Sequence, residues 1–357
     1  MDSRERFHAV THYGKFDRIF RNEMGPFEET LKRWHREGLP RDDSYRRIVG
    51  YDRLELAPIK VGLAYRWEYE TLELTEEYEV YRDIGDGVIK KKLRNVPPPG
   101  MPQYLEFPLK DRESWRKEFL PRLNPDSPCR IPVHWESLKK QYAVRDFPLG
   151  AYAGSIFGWI RNWMGVENLA VMLYDDPDFV KEMMDHIGDL VVAVLSKVVF
   201  EVQFDFALMW EDMAYKTASL ISPAHVRKFM LPNYRKITDL LHRAGIDIIM
   251  LDSDGNVEEL IPIWLEAGIN YIYPMEVAAG MDVVRLRKKF GRDLRMGGGM
   301  DKRVLARGDR KAIDAMIDEK RDLILEGGYV PGCDHAIPPD VSWDNFLYYR
   351  QRLEEIV

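Results

Sequence analysis

The chain has little cysteine. Cys129 and Cys333 are the only two among 357 residues, too few for a disulfide framework. It has no excess of positive charge. The formal net charge of -7 argues against nucleic acid as the main partner, because phosphate binding needs a basic surface. Long apolar runs are missing too: none approaches the roughly 18 residues of a membrane helix. The charged opening "MDSRERFHAV" lacks the apolar stretch of a secretory signal. A cytoplasmic protein with no membrane contact is the expectation. Low-complexity tracts are absent, and the one Pro-rich spot, "VPPPG" at Val96 to Gly100, reads as a stiff link. "GGGMDK" lacks the spacing of a dinucleotide-binding GxGxxG motif.

What is there is typical of a globular chain: 45% hydrophobic and 31% charged residues. The length suits two ordinary domains or one large α/β barrel. Short apolar runs recur in the second half: "FDFALMW", "GIDIIMLDSDGN", "GINYIYPMEV", "LRMGGGMDK" and "GGYVPGCDH". Between them lie amphipathic stretches of helical length. "SPAHVRKFMLPNYRKITDLLHRAG" opens with a capping Ser222 and with Pro223 in the first turn, while "NVEELIPIWLEAG" and "DRKAIDAMIDEKRDLILEGG" stop at Gly. "FPLGAYAGS" adds an earlier strand, and a long helix is expected from Pro177. Strands alternating with helices predict βαβ units and a parallel sheet buried on both faces. "WEYETLELTEEYEVYRDIGDGVIKKKLRN", Trp67 to Asn95, alternates like two antiparallel strands with "DIGDG" at the turn. It predicts a hairpin that is a solvated face or packs across a homodimer.

Several segments resemble the uroporphyrinogen decarboxylase-like superfamily: "SRERFHAV", "GAYAGSIFGWIRNWMG", "MWEDMAYKTASLISPAHVRKFMLPNYRKI" and "GCDHAIPPDVSWDNF". The resemblance runs from Ser3 to about Tyr349. It implies one (β/α)8 TIM barrel spanning 1–357, with an N-terminal part (1–110) that carries helices and the hairpin near 67–95. The superfamily holds the decarboxylase and methyltransferases that exchange methyl groups with corrinoid proteins or thiols. The decarboxylase's arginine-rich N-terminal segment is not matched, although Arg21 is present. Its substrate tyrosine falls on Asn162, and its C-terminal histidine near Cys333. These departures point to the methyltransferase branch. There the resemblance implies a zinc site from a His-x-Cys pair and a later Cys, which here read Asp252-Ser253-Asp254 and Cys333. Carboxylates are harder ligands than thiolates and suit an oxygen-bearing methyl donor such as a methyl ether. No corrinoid-binding Asp-x-His-x-x-Gly segment occurs, so the corrinoid would come from a partner protein.

In a TIM barrel the chemistry sits at the C-terminal ends of the strands. Polar groups recur there: Glu211 and Asp212, then Asp252, Asp254 and Asn256, Glu276, Asp301 and Lys302, and finally Cys333, Asp334 and His335. Zinc ligands are expected from Cys333, Asp252, Asp254 and Glu211, and acid–base work from Glu211, His335 and Asp254. Trp210, Glu276, Asn162 and Tyr273 are the expected substrate contacts, with Trp159 and Trp163 as further candidates for an aromatic lining. Each has a plainer alternative: a packed thiol for Cys333, an Asx-turn for Asp254, a salt bridge for Glu211, a loop-stabilising donor for His335, ordinary core or rim packing for the aromatics. The function expected is zinc-assisted methyl transfer from a small methylated substrate to a corrinoid protein. The alternatives are a carboxy-lyase acting on a smaller acid and a barrel that only binds a ligand or corrinoid.

Overall fold

The computed structural model describes residues 1–41, 45–94 and 101–357. "VPPPG" lies outside the described residues. Seven parallel strands form one sheet: β1 (Glu55–Leu56), then β6 (Leu149–Tyr152), β7 (Phe206–Trp210), β8 (Ile249–Asp252), β9 (Tyr271–Met275), β10 (Arg295–Met300) and β11 (Tyr329–Cys333), neighbours in that order. Each expected strand of the second half is present. Successive parallel strands are joined through helices, as the alternation predicts. The sheet curls: Leu54, beside β1, and Val330, on β11 at the other end of the ladder, line the same interior cavity.

Of the expected eight strands, seven join one ladder among the described residues, and it ends at β1 and β11. The chain around Arg21 to Phe27 lies between these ends without joining a ladder. Asp52 N–H donates to the Arg21 carbonyl at 2.9 Å. On the other side, the Cys333 N–H is taken by the Glu23 carboxylate at 2.6 Å. A side chain stands where a backbone carbonyl would have continued the sheet.

The hairpin prediction is also revised. Between β1 and β6 the chain makes a separate four-stranded antiparallel sheet: β2 (Glu70–Leu74), β3 (Tyr78–Arg82), β4 (Ile89–Leu93) and β5 (Gln103–Glu106). "DIGDG" does form the β3–β4 turn. The second turn, at Thr75 to Glu77, looks like mid-strand in the sequence, but the Thr75 hydroxyl receives the N–H groups of Glu77 and Tyr78 and reverses the chain.

Helices start where capping residues predict but break at internal prolines. The stretch after Ser222 is a short turn (Pro223–His225), a π-helical turn (Val226–Met230) and a helix (Leu231–Arg243). Pro232 lacks the N–H that one continuous α-helix would need. The long helix starts at Pro177 and ends at Leu195, with Asp176 receiving the Phe179 N–H.

The helix Ser3–Thr11, closed by an Asp2/Glu5 capping box, sits at the N-terminal end of the parallel strands. Its Phe7 and Val10 pack with Phe206, Met250, Tyr271 and Val330. Two buried carboxylates hold this end together. Asp205 receives Arg4, His8, Arg145 and the Leu149 N–H at 2.7–2.8 Å. Asp52 receives Arg6, Arg18, Ser3 and the Arg21 N–H.

Candidate active site at the C-terminal ends of the strands

At the opposite end, β7 and β8 deliver three acids to one place. Asp252 ends β8 and pairs in register with Trp210 and Tyr273. Asp254 follows in a tight turn. Gly255 makes that turn possible: its φ is +83°, and a Cβ there would lie 2.5 Å from the Ala214 carbonyl oxygen. Asp212 follows β7 with a left-handed φ of 47°, rare for a residue with a side chain. One carboxylate oxygen from each of Asp212, Asp252 and Asp254 lies within 4.8 Å of the others.

The electrostatics are those of acids without enough partners. The Asp254 N–H donates to Asp212 Oδ1 at 3.4 Å. His335 Nε2 meets Asp254 Oδ2 at 3.3 Å, while Asp254 Oδ1 is buried with no partner. Arg161 is the cation nearest Asp212, at 3.6 Å. The Asp252 carboxylate receives no hydrogen bond among the described residues, although its backbone carbonyl takes the Glu211 N–H at 2.9 Å. Burial, and then the charges of Asp254 and Asp212, push its carboxyl up to about 7, against the pull of His335. Burial and Asp254 also raise Asp212. The hydrogen bond with Asp254 raises His335 and favours its charged form.

Other expected site residues stand elsewhere. Glu211 stands apart from the three acids. It is fully buried, and its carboxylate receives the Ser155 hydroxyl, the N–H groups of Ile156, Phe157 and Gly158, and the Tyr234 hydroxyl, all at 2.8–3.0 Å. It ties β7 to the start of the helix Gly158–Met164. Burial still raises its pKa against those donors. Cys333 is not part of the acidic group. Its thiol is buried beside Glu23, which also holds Arg350 at 3.0 Å, and burial raises the thiol well above its usual range. Glu276 is engaged by the Gly255 N–H at 2.9 Å and by Lys302 at 3.0 Å, so it shapes the Asp254 turn from behind. Asp334, fully buried, receives the N–H groups of Val277 and Lys302 and joins the exits of β9 and β10.

The expected substrate contacts divide between two spaces. Tyr273 lines an interior cavity of about 220 Å³ that reaches Asp252 and Cys333. Asn162, Trp210 and Trp159 line a groove of about 570 Å³, whose far wall is the β3–β4 turn with Asp83 and Asp86. Trp163 edges the groove but is largely core, 5.0 Å from Phe119 between ring centres. Asp212 received no role from the sequence. It adjoins Glu211, and after a strand two neighbouring acids point to different sides. Nothing in "MWED" says which of them meets Asp252.

The uroporphyrinogen decarboxylase (URO-D) family model matches residues 99–355. The chain belongs to this family. Among solved structures, the fold is similar to a methyltransferase from Methanosarcina mazei, with a TM-score of 0.60 and 12% identity over 99% of each chain. No curated protein matches the sequence. The family match begins within the antiparallel insertion, whereas the structural likeness extends over the N-terminal helix and β1 as well. Among the described residues, no helix is long and apolar enough to cross a membrane.

Proposed function

We propose that this chain moves a methyl group from a small methylated substrate to a separate corrinoid protein. The observation that carries the reading is the group Asp212, Asp252 and Asp254 with His335, set at the C-terminal strand ends above an apolar cavity. Family membership and the likeness to a methyltransferase support it. We also read the fold as a (β/α)8 barrel in which the chain near Arg21 to Phe27 stands in for the eighth strand.

The acids fit a divalent cation, zinc included. The Asp252 carboxylate has no donor and Asp254 Oδ1 is an orphaned buried acceptor, so against three facing carboxylates stand only Arg161, 3.6 Å from Asp212, and His335. Asp212, Asp252 and Asp254 would hold the ion, and His335 is the nearest nitrogen ligand in reserve. Such an ion would supply Lewis-acid polarisation of the substrate oxygen, and the partner's reduced corrinoid the nucleophile.

The chain's own part is positioning and proton supply. The methyl carbon–oxygen bond breaks with both electrons left on oxygen. The methyl passes to the partner, and the oxygen takes a proton from His335, whose charged form Asp254 favours. The apolar walls below Asp252 keep water from the reacting bond. Purified chain with a reduced corrinoid protein should produce methyl-corrinoid, read by its absorbance, with at least one methyl ether, amine or alcohol. Asp254→Ala should lose the bound metal that elemental analysis finds in the wild type. No methyl transfer to any acceptor, with carbon dioxide released from a carboxylated substrate instead, would replace this reading with the carboxy-lyase one.

A further inference from the structure

The interior of a parallel barrel-like sheet is normally filled by side chains. Here about 220 Å³ is open, from Phe7 and Phe206 at the N-terminal end to Asp252 and Tyr273 at the mouth. Gly297 and Gly298 of β10 are part of its wall, and Gly297 lets the Tyr271 and Tyr273 side chains lie close against the strand. A Cβ on Gly297 would lie 2.8 Å from the Tyr271 hydroxyl and 3.1 Å from Tyr273 Cβ. Glycine inside a strand marks a place where something else approaches closely.

Two further features say what would fill it. The Tyr271 ring is 4% exposed, yet its hydroxyl makes no hydrogen bond among the described residues, and the Tyr273 hydroxyl makes none either. Neither hydroxyl is a sealed orphan: both belong to rings that line the open cavity, where a ligand oxygen could accept from them. The charged lining is acidic only: Glu23 and Asp252, with no Lys, Arg or His. The remaining walls, Phe206, Leu208, Met250 and Val330 among them, are apolar. A dry cavity of about 150 Å³ is enough to hold benzene.

We propose that this cavity takes the body of the methyl donor, and that the donor is uncharged and about one ring in size. One oxygen receives a hydrogen bond from Tyr271 or Tyr273, and the methylated end lies under Asp252. A carboxylated donor is disfavoured, since its charge would enter an acidic, low-dielectric space with no cation to meet it. The aromatic groove beside Asn162 is left outside donor binding. The inference rests on the methyl-transfer reading for the ligand's role, but binding is measurable apart from turnover.

The test is calorimetric titration of the full chain, without corrinoid partner, with anisole, 4-methoxybenzoate and toluene. Anisole should bind about tenfold or more tighter than 4-methoxybenzoate. Tyr271→Phe should weaken anisole about fivefold and leave toluene unchanged. Val330→Trp, checked for folding by circular dichroism, should abolish both. Equal or tighter binding of the benzoate overturns the inference. So does anisole binding that ignores both substitutions, or no anisole binding at all. Failure to bind anisole leaves methyl transfer from another donor standing. Binding without turnover removes the methyl-transfer reading and not the cavity's preference.

Discussion

The two ends of the parallel strands use the same side chain in opposite ways. At the N-terminal end, burial alone would raise Asp205 and Asp52. Hydrogen bonds from His8, Arg145, the Leu149 N–H and Arg4 hold Asp205 well below the usual range, and Arg18, the Arg21 N–H and Ser3 lower Asp52. At the C-terminal end burial wins. Asp252 and Asp212 are raised, face Asp254 and have few cations nearby. The first arrangement stabilises the fold. The second is unfavourable in isolation and makes sense as a place for a cation, a proton or a substrate. Glu211 breaks the pattern: it stands at the mouth yet is saturated with donors like the acids of the other end.

The comparison is broken most directly at Asp52. Asp52→Asn should destabilise the protein by about 3–5 kcal/mol, because Arg6 and Arg18 lose a buried partner. Denaturant unfolding would read it, and a loss below about 1 kcal/mol would equate the two ends. Glu211→Ala comes next, at about 3 kcal/mol, for leaving buried N–H and hydroxyl donors unpaired. Its effect should appear in the melting temperature even with no substrate present. His335→Gln should do the reverse: methyl transfer falls about a hundredfold while the melting temperature holds.

The smallest effect is in pH. Asp205 has its folded pKa below the unfolded value of about 3.9, so the stability it contributes is present above that value and is lost as pH falls toward the folded pKa. Asp205→Asn should therefore be less stable at pH 6 and flatter below about pH 4. An unchanged acid limb in the variant would show that other groups set it.

Much of this was legible without coordinates. Strands β7 to β11 follow from short apolar runs bounded by Gly and Asp, and the helices from their caps, because those signals are local. The gathering of polar residues at strand ends also follows, since a βα unit puts its loop at the C-terminal end of the strand. The turn at Thr75 was missed because a threonine hydroxyl does there what Gly usually does.

The sequence by itself therefore determined the α/β class, the alternation, the family and the end of the strands where the acids gather. Only the tertiary structure decided which acids meet. Adjacent residues such as Glu211 and Asp212 diverge after a strand. Whether one ends among helix N–H groups or beside Asp252 depends on neighbours more than 40 positions away. Cys333 illustrates the same limit. Its place at the end of the last strand says nothing of its neighbours: Glu23, brought in from the start of the chain, takes its N–H, and Asp212, Asp252 and Asp254 gather without it. The cavity beneath is likewise a property of packing: its walls come from residues as far apart as Phe7 and Cys333, and no local stretch of the sequence announces it.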